Sequence, residues 1–389
     1  MSRDAKAFAA RLAAEMEKAQ LDAVVLTDAG HITYATGYKV RGSGTLGVLM
    51  PDGHVTLICS EFQKNAIADV VNPAYVRVLA HPCWIFIEDY AVPGQVKEAQ
   101  PDPAEVFKMA VDCIPHVPGA RIGIEPQSLN YWQYRYLAET YGEDYLIDAA
   151  PVLREAAVIK TAWEIEVLRR NAKATQQAMH KTARDTLPGT TMAQIFDLFS
   201  KYSIEALPGT TSVSHWHTIA EHFSPTTMPS SFEVSEGDLV LLDGGPDGQG
   251  YNSDLGRVYA VGGVCSDDKR DIYEALWAGH QAQLERIKPG VRICDVFDAV
   301  DRAIKRFPIM EAYGYTRGHY GHSIGCGLGA EEYPFIAPNE TRVFEPGMVF
   351  CIETPYYSSK HHNFNIEDTI LITQTGIEQF STAPHTLFY

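Results

Sequence analysis

The strongest constraint on how this chain can fold is a pattern of acidic residues set in apolar, β-prone segments of its C-terminal part. Residues 239–242 are aliphatic and lead into Asp243, after which a glycine-rich stretch, residues 244–250, leads to a second acid, Asp254. This pattern predicts a strand, a turn and a return strand. The aspartates are 254 − 243 = 11 positions apart, so one straight strand would place them on opposite faces, whereas a bent hairpin can bring them together.

Two further motifs carry the same kind of signal. Glycines surround His322 in residues 321–325, and two β-prone runs each contain a glutamate, Glu353 and Glu367. Two bare carboxylates that face each other repel, so that one takes up a proton or both bind a cation. Any of these residues alone is as well explained as a turn former, a cap or a solvated edge charge. Jointly, four carboxylates and one imidazole are a hard-ligand set that suits a pair of divalent ions.

The motifs resemble those of the superfamily that contains methionine aminopeptidase, prolidase, aminopeptidase P and creatinase, whose catalytic domain is called the pita-bread fold. The matching elements are D-x-G…Y-x-S-D-x-x-R at residues 243–257, G-H-S-x-G at residues 321–325, E-x-P-Y at residues 353–356 and I-E-D-T at residues 366–369. The resemblance implies an Xaa-Pro dipeptidase-like or aminopeptidase P-like metal-dependent hydrolase. It also implies five metal ligands, of which Asp254 and Glu367 would bridge both ions: Asp243, Asp254, His322, Glu353 and Glu367.

The order of predicted elements and the resemblance indicate two domains. Residues 1–153 are expected to form an α/β domain of the creatinase/prolidase N-terminal type, which residues 31–37 resemble more weakly. Residues 154–389 are expected to form an α+β pita-bread catalytic domain. A Pro-Gly motif at residue 188 recurs at residue 289, an offset of 289 − 188 = 101, each time between two predicted helices. This internal repeat predicts pseudo-twofold halves with the metals between them.

Two histidines that handle substrate in the peptidase branch are replaced in this sequence. They are expected near Thr226 and at Gly329, and an arginine that often precedes the I-E-D-T element is Asn365 here. His217 and His222 are the preferred catalytic substitutes, because an imidazole titrates near neutrality and can carry a proton.

Three further residues are candidates for binding the substrate: Arg41, His319 and Glu331. Arg317 is an alternative to Arg41 for holding a substrate carboxylate. For each of these residues, and for His217 and His222, a surface charge or a packed histidine is the competing interpretation.

The expected chemistry is hydrolysis of an amide or related C–N bond. Two divalent ions can lower the pKa of a water and polarise a carbonyl, and Glu353 would be the catalytic residue that moves the water's proton to the leaving nitrogen. Manganese, zinc, cobalt and iron all suit the ligand set. The alternatives are a creatinase-type amidinohydrolase, a metal-dependent lyase of the dimethylsulfoniopropionate type, or a non-catalytic binding protein. The complete ligand set argues against a metal-free amidinohydrolase and against the binding protein.

Composition limits the possible partners. A net charge of −17 argues against nucleic acid or an anionic membrane surface as a partner. The sequence contains no run of about eighteen apolar residues, so we expect no membrane span. Seven scattered cysteines without a C-x-x-C pair favour a reducing, cytoplasmic location. We therefore expect a short-peptide or small-molecule substrate. By resemblance we also expect a homodimer, in which residues 38–41 or Trp84 of a second subunit help to close the site.

Overall fold

The computed structural model describes residues 2–40, 44–82, 102–220, 222–224, 231–311, 317–326, 331–358 and 360–387. The chain divides into two compact units, with the main boundary between Ala157 and Val158. The boundary predicted after residue 153 falls inside the helix Ala150–Val158. The predicted positions Arg41, Trp84, Thr226 and Gly329 lie outside the described residues.

The first unit is built on a six-stranded mixed sheet. Its elements are, in chain order, α1 (Ala5–Ala19), β1 (Ala23–Leu26), α2 (Ala29–Thr36), β2 (Leu46–Leu49), β3 (Val55–Ser60), α3 (Glu61–Ala68), β4 (Val76–His81), α4 (Pro103–Val111), β5 (Ile122–Ile124), α5 (Tyr131–Tyr141), β6 (Leu146–Asp148) and α6 (Ala150–Val158). The strand order is β4-β3-β2-β1-β5-β6, with β1–β2 and β2–β3 antiparallel and the other neighbours parallel. This alternation of strands and helices confirms the predicted α/β class.

Helix α1 shows how the sequence sets an element boundary. The side chain of Asp4 accepts a hydrogen bond from the backbone N–H of Ala7 and so caps the first turn. The spacing of Phe8, Leu12 and Met16 then places all three in the core, as a helical period of 3.6 residues requires.

The second unit contains, in its described residues, one nine-stranded sheet. Its elements are α7 (Ala162–Asp185), α8 (Met192–Ala206), β7 (His217–Ile219), β8 (His222–Ser224), β9 (Leu239–Gly244), β10 (Leu255–Ala260), α9 (Asp267–Arg286), α10 (Ile293–Ile304), β11 (Gly321–Ser323), β12 (Glu332–Phe335), β13 (Val349–Glu353), β14 (Glu367–Ile372) and β15 (Ile377–Gln379). The strand order is β12-β11-β13-β14-β10-β9-β7-β8, with β15 added to β14, and every pair is antiparallel.

The predicted internal repeat is visible in this order. Two helices followed by four strands, α7 to β10, are succeeded by two helices followed by four strands, α9 to β14. The halves meet where β10 pairs with β14. This arrangement is the predicted duplicated α+β domain.

Side-chain alternation along the strands separates an apolar face from a polar one. Phe350 and Ile352 of β13 pack in the same apolar cluster as Val296 and Val300 of α10. Glu353 follows Ile352 and therefore points to the other face. None of the helices in the described part of the chain is both long and apolar enough to cross a membrane.

Candidate metal centre

Cross-strand register aligns three acids in one row across the second unit. Glu353 of β13 stands opposite Glu367 of β14, Glu367 opposite Gly256 of β10, and Gly256 opposite Asp243 of β9. Directly opposed residues of neighbouring strands share a face of the sheet. The row therefore brings together acids that are far apart in sequence, as the predicted glutamate hairpin requires.

Gly256 leaves the middle of this row open. A Cβ on this residue would lie 2.9 Å from Nδ2 of Asn365, so the amide of Asn365 occupies the space that a side chain would fill. That amide nitrogen lies 3.2 Å from Oδ2 of Asp243, 3.2 Å from Oε2 of Glu353 and 3.1 Å from Oε2 of Glu367. Since an amide has two N–H groups, Asn365 is a neutral donor that the three acids share.

His322 and Asp254 complete the group. Nε2 of His322 lies 3.6 Å from Oε1 of Glu367 and 3.9 Å from Oδ2 of Asp254. Nδ1 of His322 is 2.9 Å from the carbonyl oxygen of Ser323. A carbonyl only accepts, so Nδ1 carries a proton and Nε2 is the ring nitrogen that faces the acids. This is the arrangement in which histidines usually bind metals.

Asp243, Asp254 and Glu367 have too few hydrogen-bond donors around them to compensate three negative charges. Burial raises the pKa of Asp243 to about 7, with the negative charge of Glu353 adding to the effect. Burial and the charge of a neighbouring acid also raise the pKa values of Asp254 and Glu367 well above their ordinary values. The buried oxygens Oδ1 of Asp254 and Oε1 of Glu367 accept no hydrogen bond. Carboxylates in this state hold protons or bind cations, so the group fits the divalent ions that the ligand set implies.

Cys351 lies beside this group without suiting it as a ligand. Its sulfur is within ligand range of His322 and Glu367. However, burial and the charge of Glu367 raise the pKa of the Cys351 thiol well above its ordinary value, and Sγ is 3.4 Å from the backbone oxygen of Asp254. A protonated thiol is a poor metal ligand.

A buried ion pair supports the strand that carries Glu367. Nη2 of Arg257 is 2.7 Å from Oδ1 of Asp368, and Nε2 of His280 is 3.0 Å from Oδ2 of Asp368. Burial alone would raise the pKa of Asp368, but the charge of Arg257 and the bond from His280 hold it well below its ordinary value. The sequence motifs contain Arg257 and Asp368 without revealing this pairing, and His280 carries no sequence signal.

A second charged group lies on the solvent side of Glu353. Nη1 of Arg317 is 3.2 Å from Oε2 of Glu353, and Nη2 bonds to Glu331. Nδ1 of His319 is 3.3 Å from Oε1 of Glu353, and its Nε2 is 3.5 Å from Oε2 of Glu331. Side-chain exposure rises from 1% at Glu353 through 24% at Arg317 to 43% at Glu331. The group therefore leads from the buried acids towards solvent.

This second group keeps Glu353 ionised. Burial would raise the pKa of Glu353, but the adjacent imidazole of His319 and the charge of Arg317 outweigh it and lower that pKa. The bond with His319 likewise lowers the pKa of Glu331 to about 2. The acids of the centre thus differ in their pKa values: the pKa of Glu353 is lowered, whereas those of Asp243, Asp254 and Glu367 are raised.

His217 and His222, the two histidines predicted as proton carriers, do not face the carboxylates of the acidic row. Nδ1 of His217 is 3.1 Å from the backbone nitrogen of Asp243, and its Nε2 is 3.0 Å from Nδ1 of His215. Both ring nitrogens of His217 are thus engaged away from the carboxylates. His222 lies on β8, and its ring packs 4.2 Å from the ring of Phe232. Since β7 separates β8 from β9, the structure does not bring His222 into the acidic row.

Comparison with known proteins agrees with this architecture. The model of metallopeptidase family M24 matches residues 166–374, and that of the creatinase/prolidase N-terminal domain matches residues 9–159. An uncharacterized peptidase, YqhT of Bacillus subtilis (strain 168), is 26% identical over 372 residues, which are 94% of this chain and 95% of that protein. A Xaa-Pro dipeptidase of Pyrococcus horikoshii is 28% identical over 314 residues, 79% of this chain and 86% of that protein.

Solved structures share the fold over the whole chain. The dipeptidase PepE from Mycobacterium ulcerans aligns with a TM-score of 0.79 at 23% identity, covering 100% of this chain and 99% of that one. The prolidase from Pyrococcus horikoshii OT3 aligns with a TM-score of 0.74 at 22% identity, covering 98% and 99%. These alignments confirm the predicted pita-bread fold with its N-terminal domain.

Proposed function

Because the chain belongs to metallopeptidase family M24, and is therefore a metal-dependent hydrolase, we propose that it uses two metal ions to cleave a C–N bond in a short peptide or a small amino-acid-like substrate. Relatives that carry the name Xaa-Pro dipeptidase make Xaa-Pro dipeptides the first substrates to test. The replaced histidines near Thr226 and at Gly329 leave the small amino-acid-like substrates as the second class.

The observation that carries this proposal is the cluster of acids with too few hydrogen-bond donors beside Nε2 of His322. Ligand oxygens of Asp243, Asp254 and Glu367 lie within 4.8 Å of one another, which suits one ion. The second ion would be held by His322 and Glu353 together with the two acids that are shared, Asp254 and Glu367. When bound, such ions supply Lewis acidity and lower the pKa of a water towards neutrality.

Glu353 is the residue we assign to proton transfer. Its pKa is held low by His319 and Arg317 against the effect of burial, so a carboxylate oxygen is available to accept a proton at neutral pH. The same oxygen can return that proton to the leaving nitrogen of the substrate. Asn365 assists by fixing Oε2 of Glu353 through its amide.

Arg317, His319 and Glu331 are the groups we assign to substrate binding. They lie between Glu353 and solvent, where the non-reacting end of a short substrate would be held. A guanidinium forms paired hydrogen bonds with a carboxylate, and Arg317 already holds one, that of Glu331. We infer that a substrate carboxylate takes the place of Glu331 at Arg317.

Arg317→Gln is expected to raise KM for a carboxylate-bearing dipeptide by roughly 10- to 100-fold, because a hydrogen bond to a charged group contributes roughly 1.5–3 kcal/mol. The same variant should change KM for the corresponding dipeptide amide much less. The measurement is steady-state kinetics on both substrates, with metal content checked in each preparation. Arg169→Gln is the matched control, since Arg169 is 21% exposed and pairs with Glu378 elsewhere in the unit. An increase in KM that is equal for the dipeptide and its amide would contradict the assignment.

The proposed function is tested by metal analysis combined with isotope labelling. We expect about two equivalents of manganese, zinc, cobalt or iron per chain, and activity that chelation removes and metal restores. In ¹⁸O-labelled water, hydrolysis places label in the new carboxylate. Activity that persists without metal would instead indicate creatinase-type chemistry, and product without label from water would indicate a lyase.

A homodimer is part of the same proposal. The resemblance to creatinase-type proteins motivates it, and residues 38–41 or Trp84 are expected to complete the second subunit's site. Sedimentation equilibrium should give twice the mass of one chain.

A further inference from the structure

Two histidines, one buried and one partly buried, lie behind the acidic row, on the side of strand β7. His217 is fully buried, and its ring lies 5.0 Å from the rings of both Phe196 and Phe199 on helix α8. His215 stacks on Phe196 at 4.9 Å with an angle of 14° between the rings. Two imidazoles in an aromatic surrounding need hydrogen-bond partners of their own, because unpaired polar groups are costly there.

The partners fix which ring nitrogens carry protons. The backbone nitrogen of Asp243 can only donate, so Nδ1 of His217, 3.1 Å away, accepts and bears no hydrogen. Nε2 of His217 therefore carries the hydrogen and donates to Nδ1 of His215 at 3.0 Å. By the same reasoning, Nε2 of His215 carries a hydrogen and donates to Oγ of Ser200 at 2.9 Å. The result is a one-way chain from Asp243 to helix α8.

Each ring of the pair needs only one hydrogen to make these bonds. The aromatic rings of Phe196 and Phe199 pack against both imidazoles. A proton added at Nδ1 of His217 would face the N–H of Asp243 and break the first link. The pair is thus suited to holding a backbone group in place rather than to carrying protons.

The first link replaces a regular strand contact. Thr218 pairs with Leu241 in the β7–β9 register, so Trp216 is level with Asp243. The N–H of Trp216 donates to the carbonyl of Asp243 at 2.9 Å, as the ladder requires. The reciprocal N–H of Asp243 would ordinarily donate to the carbonyl of Trp216, but it donates to the imidazole of His217 instead.

We propose that His217, oriented by His215, is a positioning residue that fixes the backbone of Asp243 where its carboxylate enters the metal centre. This inference rests on the proposed function in taking Asp243 as a metal ligand. It assigns the histidine-rich segment a role in metal affinity through a named hydrogen bond. Groups of this kind typically change metal affinity by 10- to 100-fold when they are removed.

The variants His217→Asn and His217→Phe separate the hydrogen bond from the packing. Asparagine can place an acceptor near the position of Nδ1, whereas phenylalanine fills the pocket without one. Isothermal titration with Mn²⁺ should show affinity within about threefold of the parent protein for His217→Asn, and a loss of roughly 10- to 100-fold for His217→Phe. His385→Phe is the control, because His385 is half exposed and bonds only to Glu274 among its described partners. Parent-like Mn²⁺ affinity in His217→Phe would overturn the proposal.

A second measurement needs neither metal nor a variant. Long-range ¹H–¹⁵N spectra of the histidine-labelled, metal-free protein at pH 7 should show both rings as neutral Nε2–H tautomers. A charged ring, or an Nδ1–H tautomer at His217, would overturn the proposal even if His217→Phe does not fold. Failure of the parent protein to bind Mn²⁺ would contradict the proposed function while leaving this tautomer result to stand or fall by itself.

Discussion

Asp254→Asn is expected to reduce bound metal from about two ions per chain to one or fewer, and kcat/KM by roughly 10³-fold or more, since metal ions contribute several kcal/mol to transition-state stabilisation. Asp254 is buried and lies within ligand distance of both Asp243 and Glu367, and Nε2 of His322 faces it. The amide preserves the shape of the side chain while removing its charge. Metal analysis and steady-state kinetics on one preparation measure both effects.

The same substitution should stabilise the metal-free protein, which distinguishes loss of a ligand from misfolding. Burial and the charge of Glu367 raise the pKa of Asp254 well above its ordinary value, so a neutral amide removes the cost of taking up a proton on folding. We expect the melting temperature of the metal-free variant to rise by a few degrees, as about 1 kcal/mol shifts Tm by roughly 2–4 °C in a domain of this size. Asp267→Asn, at a side chain that is 92% exposed, should change neither metal content nor Tm. Two bound metals and full activity in Asp254→Asn would refute the ligand assignment.

The parts of the centre that follow strand periodicity were predictable from sequence. Apolar runs ending in Asp243 and containing Glu353 and Glu367 indicate strands, and alternation places each acid opposite the face that packs on helices. The direct pairing of Glu353 with Glu367 confirms the expected hairpin. The resemblance supplied what local patterns do not contain, the set of five ligands, and so joined Asp243 to the same group.

Contacts that depend on side-chain direction between distant elements were not predictable. The sequence shows a histidine at position 217, but the partner that defines its role, the backbone N–H of Asp243, lies 26 residues away. The prediction of a proton carrier therefore identified a relevant residue without its orientation. Asn365 is similar, since its sequence position suggested only a missing arginine, whereas Gly256 on another strand creates the space that its amide fills. Arg317 was an alternative for substrate binding, and its contact with Glu353 emerged only from the fold.

The metal-free protein is expected to lose stability as the pH rises from 5 to 8, and Mn²⁺ should reverse this loss. Burial raises the pKa of Asp243 to about 7 and those of Asp254 and Glu367 well above their ordinary values. These three acids give the folded state extra protons in this range, and they outnumber His215 and His217, whose lowered pKa values oppose the loss below about pH 6.5. Stability falls with pH wherever the folded state holds the extra protons. It is therefore fully present below the ordinary carboxyl pKa and is lost as the pH passes through the raised values.

The size of the effect follows from the same difference in pKa. For Asp243, whose ordinary pKa is 3.8, the loss of stability is at most about 4 kcal/mol, since one pKa unit corresponds to roughly 1.4 kcal/mol. Solvent screening of this half-buried side chain reduces that loss. Glu353 does not contribute to the loss, because its lowered pKa adds stability that disappears only in acid. We expect a decrease in Tm of roughly 5–10 °C between pH 5 and pH 8 for the metal-free protein.

Bound metal should oppose the fall of Tm with rising pH, because cations replace protons on the same carboxylate oxygens. Binding of Mn²⁺ becomes tighter as the carboxylates ionise, so the increase in Tm that a fixed concentration of Mn²⁺ produces should grow from pH 5 to pH 8. Differential scanning calorimetry of chelator-treated protein, with and without Mn²⁺, measures both slopes. Asp254→Asn should flatten the metal-free slope, because it removes one of the titrating acids, whereas Asp267→Asn should leave it unchanged. If the metal-free slope of Asp254→Asn equals that of the parent protein, these acids do not share one buried centre, and the assignment of Asp243, Asp254 and Glu367 as joint ligands would then fail.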